Sequence, residues 1–128
     1  MHPDDRKYHK EHTWAKISGN RALVGITDHA QGSLGDIVFI ELPEVDSSVE
    51  VGVEVTEIES TKTTASVISP LSGTIIRINE LLDDSPEIIN EAPYDNGWIF
   101  ELELLDAGEA EDMMDSSDYS RFVEEEED

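Results

Sequence analysis

Lys62 is the side chain best placed to do chemistry of its own. It lies in Ile58-Glu59-Ser60-Thr61-Lys62-Thr63-Thr64-Ala65-Ser66, in a chain of 128 residues with 31 Asp plus Glu against 8 Lys plus Arg, and no other lysine follows it. Lysine at a turn tip is most often only a solubilising residue. Here it stands at the middle of two matched arms, Val51-Gly52-Val53-Glu54-Val55 upstream and Ser72-Gly73-Thr74-Ile75-Ile76 downstream, in a chain that otherwise avoids lysine. The β-branched Thr61, Thr63 and Thr64 stiffen the tip. An exposed primary amine on such a turn is what an acylating ligase needs, and the pattern fits a covalent cofactor arm. There are no cysteines, so disulfides, thiolate metal sites and cysteine nucleophiles are excluded.

Other constellations are weaker. His9 and His12 are three residues apart, but further ligands are not evident and a solvated N-terminal segment is expected, with no metal site. The acidic clusters lack the alternating spacing of a calcium loop. Trp14 and Trp98 fall in strand patterns and read as core or rim. Neither a phosphate-cradling glycine loop nor a nucleophile elbow occurs.

The elements that would carry the tip are mostly strands. Trp14–Ile17 and Ala22–Ile26 flank Gly19-Asn20, a hairpin signal. Thr27 or Asp28 caps a short helix over His29–Leu34 that stops at Gly35. A strand over Ile37–Leu42 ends at Pro43, and apolar Val49, Val51, Val53 and Val55 alternate with acids as one half-buried strand. Pro70–Gly73 is a turn, Ser85-Pro86 opens a helical turn, Pro93–Gly97 is a loop and Trp98–Leu104 a strand. From Ala107 to about Val123 two short acidic helices are expected, docked by Met113, Met114, Tyr119 and Phe122.

The length suits one domain, 1–128, with a core over about 8–105 and an acidic helical segment over 106–128. A formal charge of −23 repels nucleic acid and anionic membranes, so neither is an expected partner. No apolar run approaches a membrane span and none resembles a signal-peptide core, which gives a cytoplasmic expectation. Scarce lysine with dispersed acid also suggests a halophilic source, because screening at high salt relieves the self-repulsion. Equal melting temperatures in low and molar salt would refute that idea.

Many segments resemble the glycine cleavage system H-protein family. They are Glu59–Ser66 with Ser69–Gly73, His12-Thr13-Trp14, Val24–Gln31, Leu34–Phe39, Glu41-Leu42-Pro43, Asp84-Ser85-Pro86, Asn90–Tyr94 and Gly97-Trp98. They run in family order from about Tyr8 to Phe122. Biotin carriers share the general fold but resemble Met-Lys-Met at the tip, unlike Thr61-Lys62-Thr63. The resemblance implies a mostly β, lipoyl-domain-like flattened β-barrel or sandwich (a barrel-sandwich hybrid), with short helices after the first hairpin and at the C-terminus. It implies lipoic acid as an amide on Lys62, with Glu59, Ser60, Thr61, Thr63 and Gly73 at the tip and in recognition by a lipoate ligase or lipoyl transferase. It implies a carrier without catalysis of its own, serving glycine decarboxylase, aminomethyltransferase and dihydrolipoamide dehydrogenase, and a monomer is expected because a carrier must offer its arm to several enzymes in turn.

Near the arm the resemblance points to Glu11, His12, Thr13 and Ser66. Family members usually have an acid where Thr13 and Ser66 stand, and alanine where Thr63 stands. A carboxylate there would hold a cationic aminomethyl adduct by a charge-assisted hydrogen bond. Its loss suits a neutral or anionic adduct, as in the H-like lipoate-binding proteins of sulfur oxidation that serve a heterodisulfide-reductase-like complex. The sulfur carrier is therefore the first expectation and the glycine carrier the alternative, with Glu11 or Glu59 as substitute carboxylates. A third class, an unmodified structural or regulatory module or a reservoir of lipoyl groups, is tested by intact mass.

Overall fold

The computed structural model describes residues 2–127. Among the described residues nine strands form two sheets: β1 Lys7–Tyr8, β2 Thr13–Ser18, β3 Arg21–Ile26, β4 Ile37–Ile40, β5 Ser48–Val49, β6 Glu54–Ser60, β7 Thr64–Ile68, β8 Gly73–Ile78 and β9 Phe100–Leu104. One sheet has the order β1-β2-β3-β9-β8-β5 and the other β4-β6-β7, with antiparallel pairing throughout the described ladders. Helices are short: α1 Asp28–Leu34, α2 Leu81–Asp84, α3 Ile88–Glu91, a 3-10 turn at Ala107–Asp112, and α4 Ser116–Glu127.

Local chemistry explains the first third of the chain. Gly19 turns the β2–β3 hairpin with a left-handed φ of 62°, open to glycine at no steric cost. Between the two sequence candidates for the α1 cap, the structure selects Thr27, whose Oγ1 accepts the Ala30 N–H at 3.2 Å. Gly35 ends the helix with φ 78° and ψ −152°, a region essentially restricted to glycine.

One expectation is overturned between Val49 and Val55. The alternation there reads as a single half-buried strand, yet the chain turns at Gly52 (φ 84°) and leaves Val51 and Val53 about half exposed. The turn carries the chain from β5 in the large sheet to β6 in the small one, held by Gly52 N–H to Ser69 O at 2.8 Å. Strand β4 is shorter than expected, and its register with β6 shifts between Ile37 and Phe39. Helix α2 and strand β1 were not legible in the sequence.

The main core lies between the sheets, with Val24, Ile40, Ile58, Val67, Ile75, Ile99, Phe100 and Leu102 essentially inaccessible. A second cluster, Tyr8, Trp14, Tyr119 and Val123, fastens α4 to the N-terminal segment. Tyr8 and Tyr119 stack at 4.8 Å between ring centroids, and Tyr8 exchanges backbone hydrogen bonds with Met114. The expected docking side chains are joined by Val123. The N-terminal segment is thus packed rather than solvated, with Arg6 buried between Trp14 and Tyr94 and donating to Tyr94 O at 2.7 Å.

Burial raises the Tyr8 and Tyr119 phenols well above their ordinary value and pushes Tyr94 up to about 12. An unfolded phenol titrates near pH 10, so the stability held by these raised groups is intact below that pH. It is lost as pH climbs through the folded values. Thermal melts should therefore be flat up to about pH 10 on this account and fall above it, and Tyr94→Phe should soften the fall.

Candidate functional site

The β6–β7 hairpin presents Lys62 at an ordered, exposed tip. Ser60 builds the turn: its N–H donates to Thr63 O at 2.8 Å, and its Oγ accepts the N–H groups of Lys62 and Thr63 at 3.2 and 3.1 Å. A side-chain oxygen that receives two backbone donors fixes a turn without help from sheet pairing. Thr61 N–H donates to Asp36 O at 3.0 Å, tying the tip to the segment after α1. Thr61, Thr63 and Glu59 are exposed beside it. The exposed Phe39 pairs with Glu59 across β4 and β6.

Gly35 makes room for the lysine stem. A Cβ at Gly35 would stand 2.9 Å from Lys62 Cε, and its backbone already lies where only glycine rests without strain. Gly35→Ala is expected to cost about 1–3 kcal/mol and to displace the Lys62 stem, read by thermal melting and by slower modification of the tip.

Gly73 does not belong with these residues. The structure sets it at the start of β8 in the other sheet, where an added Cβ would meet Glu103 O at 2.3 Å. Its near-symmetric spacing from Lys62 reflects a close strand-to-strand approach and not tip chemistry.

Between α1 and the β6–β7 hairpin lies a cleft of about 290 Å³, with Ile26 and Ile58 among its apolar residues and Glu11, His12, His29, Ser33, Ser66 and Glu126 as polar ones. Four residues named from the sequence meet here unequally. Glu11, His12 and Ser66 line the cleft, whereas Thr13 lies beneath its surface, 1% exposed, paired with Ile26. The Thr13 Oγ1 has no hydrogen-bond partner among the described residues. Ser66 Oγ donates to Glu54 at 2.6 Å, although Glu54 itself does not line the cleft. Glu59 is not among the lining residues.

His12 is held on both ring nitrogens. Nδ1 is 2.7 Å from Tyr119 Oη and Nε2 is 3.0 Å from Glu126 Oε1, while Tyr119 Oη lies 2.8 Å from Thr27 Oγ1. His9 does not pair with it as a ligand; His9 Nδ1 accepts the Glu11 N–H at 3.1 Å. Sequence reasoning missed His29, Glu54 and Glu126. His29 could have been found beside the Thr27 cap, but nothing marks Glu126 out from the other acids of its helix.

The family model for the glycine cleavage H-protein matches residues 6–126. The chain belongs to the glycine cleavage H-protein family. The chain is 52% identical over 122 residues to "Glycine cleavage system H protein 2, mitochondrial" of Arabidopsis thaliana, covering 95% of this chain and 78% of that relative. It is 46% identical over 121 residues to a glycine cleavage system H protein of Staphylococcus saprophyticus, covering 94% and 96%. A crystal structure of an H protein from Mycobacterium marinum superposes with a TM-score of 0.85 at 37% identity, covering 93% of this chain and 96% of that one. The mostly β H-protein architecture expected from the sequence is the one observed: two sheets packed as a flattened sandwich, not a closed barrel, with short helices. The glycine cleavage names of these relatives favour the reading that ranked second in the sequence. No helix among the described residues is long and apolar enough to cross a membrane.

Proposed function

We propose that this H-protein is the lipoate carrier of a glycine cleavage system, with the lipoyl group joined as an amide to Lys62 Nζ. The observation that carries the reading is an exposed lysine on a turn locked by Ser60, at the tip of a hairpin whose strands line a cleft that holds carboxylates. The room beside Gly35 suits a long acyl-lysine stem. When bound, the lipoyl group supplies a dithiolane that takes up and releases the aminomethyl group of glycine on a flexible tether, which raises its local concentration at each partner. The chain's own residues position and shelter, and catalysis belongs to glycine decarboxylase, aminomethyltransferase and dihydrolipoamide dehydrogenase. A lipoate ligase or lipoyl transferase reads the tip. The carrier acts as one domain, as a monomer and in the cytoplasm.

The case for a sulfur cargo rested on missing negative charge at Thr13 and Ser66. Glu11 and Glu126 line the cleft, so charge to hold a cationic amine is supplied from other positions. Relatives named for glycine cleavage point the same way, and the sulfur reading finds no support in them.

The test is to lipoylate the protein, add glycine and the pyridoxal-phosphate decarboxylase, and follow intact mass. Rapid gain of the aminomethyl mass is expected, with the loaded form decaying faster in a Glu11→Gln, Glu126→Gln double variant. A lipoylated protein that never loads would overturn the glycine reading and return the sulfur cargo to first place.

A further inference from the structure

Three side chains at the cleft mouth come from three different elements. His12 precedes β2, His29 is in the first turn of α1, and Glu126 is near the end of α4. One ligand atom from each lies within 4.8 Å of the other two, and the His12 Nε2 to Glu126 Oε1 separation is 3.0 Å. Metal–nitrogen and metal–oxygen bonds of about 2.0–2.2 Å in a tetrahedron place neighbouring ligand atoms roughly 3.3–3.5 Å apart. His12 and Glu126 need only open by a few tenths of an ångström, and the His29 ring already lies against that of His12, 4.8 Å between centroids.

Two further features single out this trio from the many acids on the surface. The second ring nitrogen of His12 is engaged by Tyr119 Oη, which is itself fixed by Thr27 Oγ1. That is the outer-sphere arrangement that orients a ligating imidazole and sets its tautomer. His12 also sits in the left-handed region at φ 67°, unusual for a residue with a side chain, pinned by His12 N–H to His9 O and by Thr27 N–H to His12 O. These two backbone hydrogen bonds hold the imidazole at the cleft in a conformation that few residues with a side chain adopt.

We propose that His12, His29 and Glu126 form a binding site for a divalent transition cation of the Zn2+ class, whose occupancy clamps α4 across the cleft. Two imidazoles and one carboxylate suit Zn2+ and its neighbours, while Ca2+ and Mg2+ prefer all-oxygen shells. Three protein donors leave one position open, and Glu11, which lines the same cleft, is a further source of oxygen. The proposal does not depend on the lipoyl reading; a bound cation would engage Glu126 and leave Glu11 as the carboxylate of the cleft for a cationic amine.

The test uses the full-length chain without lipoate. Zn2+ is titrated by calorimetry in the presence of excess Mg2+, which occupies non-specific carboxylate sites, and Co2+ is titrated in parallel by visible absorption. The expected result is one tight equivalent of Zn2+, a raised melting temperature, and the d–d bands of four-coordinate Co2+. His29→Gln and Glu126→Gln should each weaken binding at least about tenfold, and Tyr119→Phe, which keeps the ring, by about tenfold through loss of the outer-sphere bond. His9→Gln should bind as the parent does. Each variant is checked for folding by circular dichroism, and the partly exposed His29 and the exposed Glu126 have little core to disturb. Absence of a saturable equivalent, displacement by Mg2+, or equal affinity in the His29 and Glu126 variants would overturn the site and leave the His12–Glu126 contact as an ion pair.

Discussion

Lys62→Arg is expected to abolish lipoylation outright while the fold stays intact. Arginine keeps the charge and most of the stem, so the solvent around the tip changes little. Its guanidinium stays protonated and offers no free amine for acylation. The turn itself depends on Ser60 and on backbone groups of residues 61 to 63, none of which the substitution removes. Stability should therefore move by no more than about 0.5 kcal/mol. Intact mass after incubation with ligase and lipoate gives the first half of the result and a thermal melt the second. Modification at Lys7, Lys10 or Lys16 would place the arm elsewhere, and a large drop in melting temperature would mean that Lys62 holds structure.

The largest loss of stability is expected from Trp14→Ala. Trp14 is 1% exposed, and its Nε1–H is shared between Ile26 O and Pro93 O at 3.0 Å each. It lies so close over Gly25 that a Cβ there would come within 2.8 Å of its ring, and the Arg6 guanidinium stacks over the ring, 4.6 Å from its centroid. Alanine would leave a cavity between β2, β3 and the loop at Pro93, and two carbonyls would lose a buried donor. Such truncations cost about 3–5 kcal/mol, on the order of 10–20 °C in melting temperature for a chain of this size. Trp14→Phe should recover the packing but not the hydrogen bonds and fall between the two. An alanine variant that melts within a degree or two of the parent would contradict this account of the second cluster.

What the sequence made legible was the chemistry that acts over a few residues. Gly19-Asn20 announced a hairpin and Thr27 a cap, because each needs only its immediate neighbours. Ser60 and the three threonines placed the tip for the same reason. The valines from 49 to 55 misled because alternation is the signature of a half-buried strand. The turn at Gly52 that breaks it is imposed by the crossing from one sheet to the other. Gly73 misled through symmetry of spacing, when its real constraint is the Glu103 carbonyl on a strand thirty positions on. The cleft was least legible of all. Residues 11, 12, 29, 66 and 126 meet only after both sheets and α4 have closed, and no local pattern encodes that meeting.

Strand β9 sits between β3 and β8 in the large sheet, pairing Ala22 with Leu102 on one side and Ile75 with Leu102 on the other. During synthesis the β2–β3 hairpin leaves the ribosome long before its neighbour exists, so it waits with one edge bare. At roughly 5–20 residues per second that interval lasts several seconds, and closing so long a loop afterwards makes folding slow, in the millisecond-to-second range. Newborn chains meeting in that window would tend to join edge to edge. A strongly negative polypeptide repels its own copies, which gives the acid scattered along this chain a task before the native state has formed.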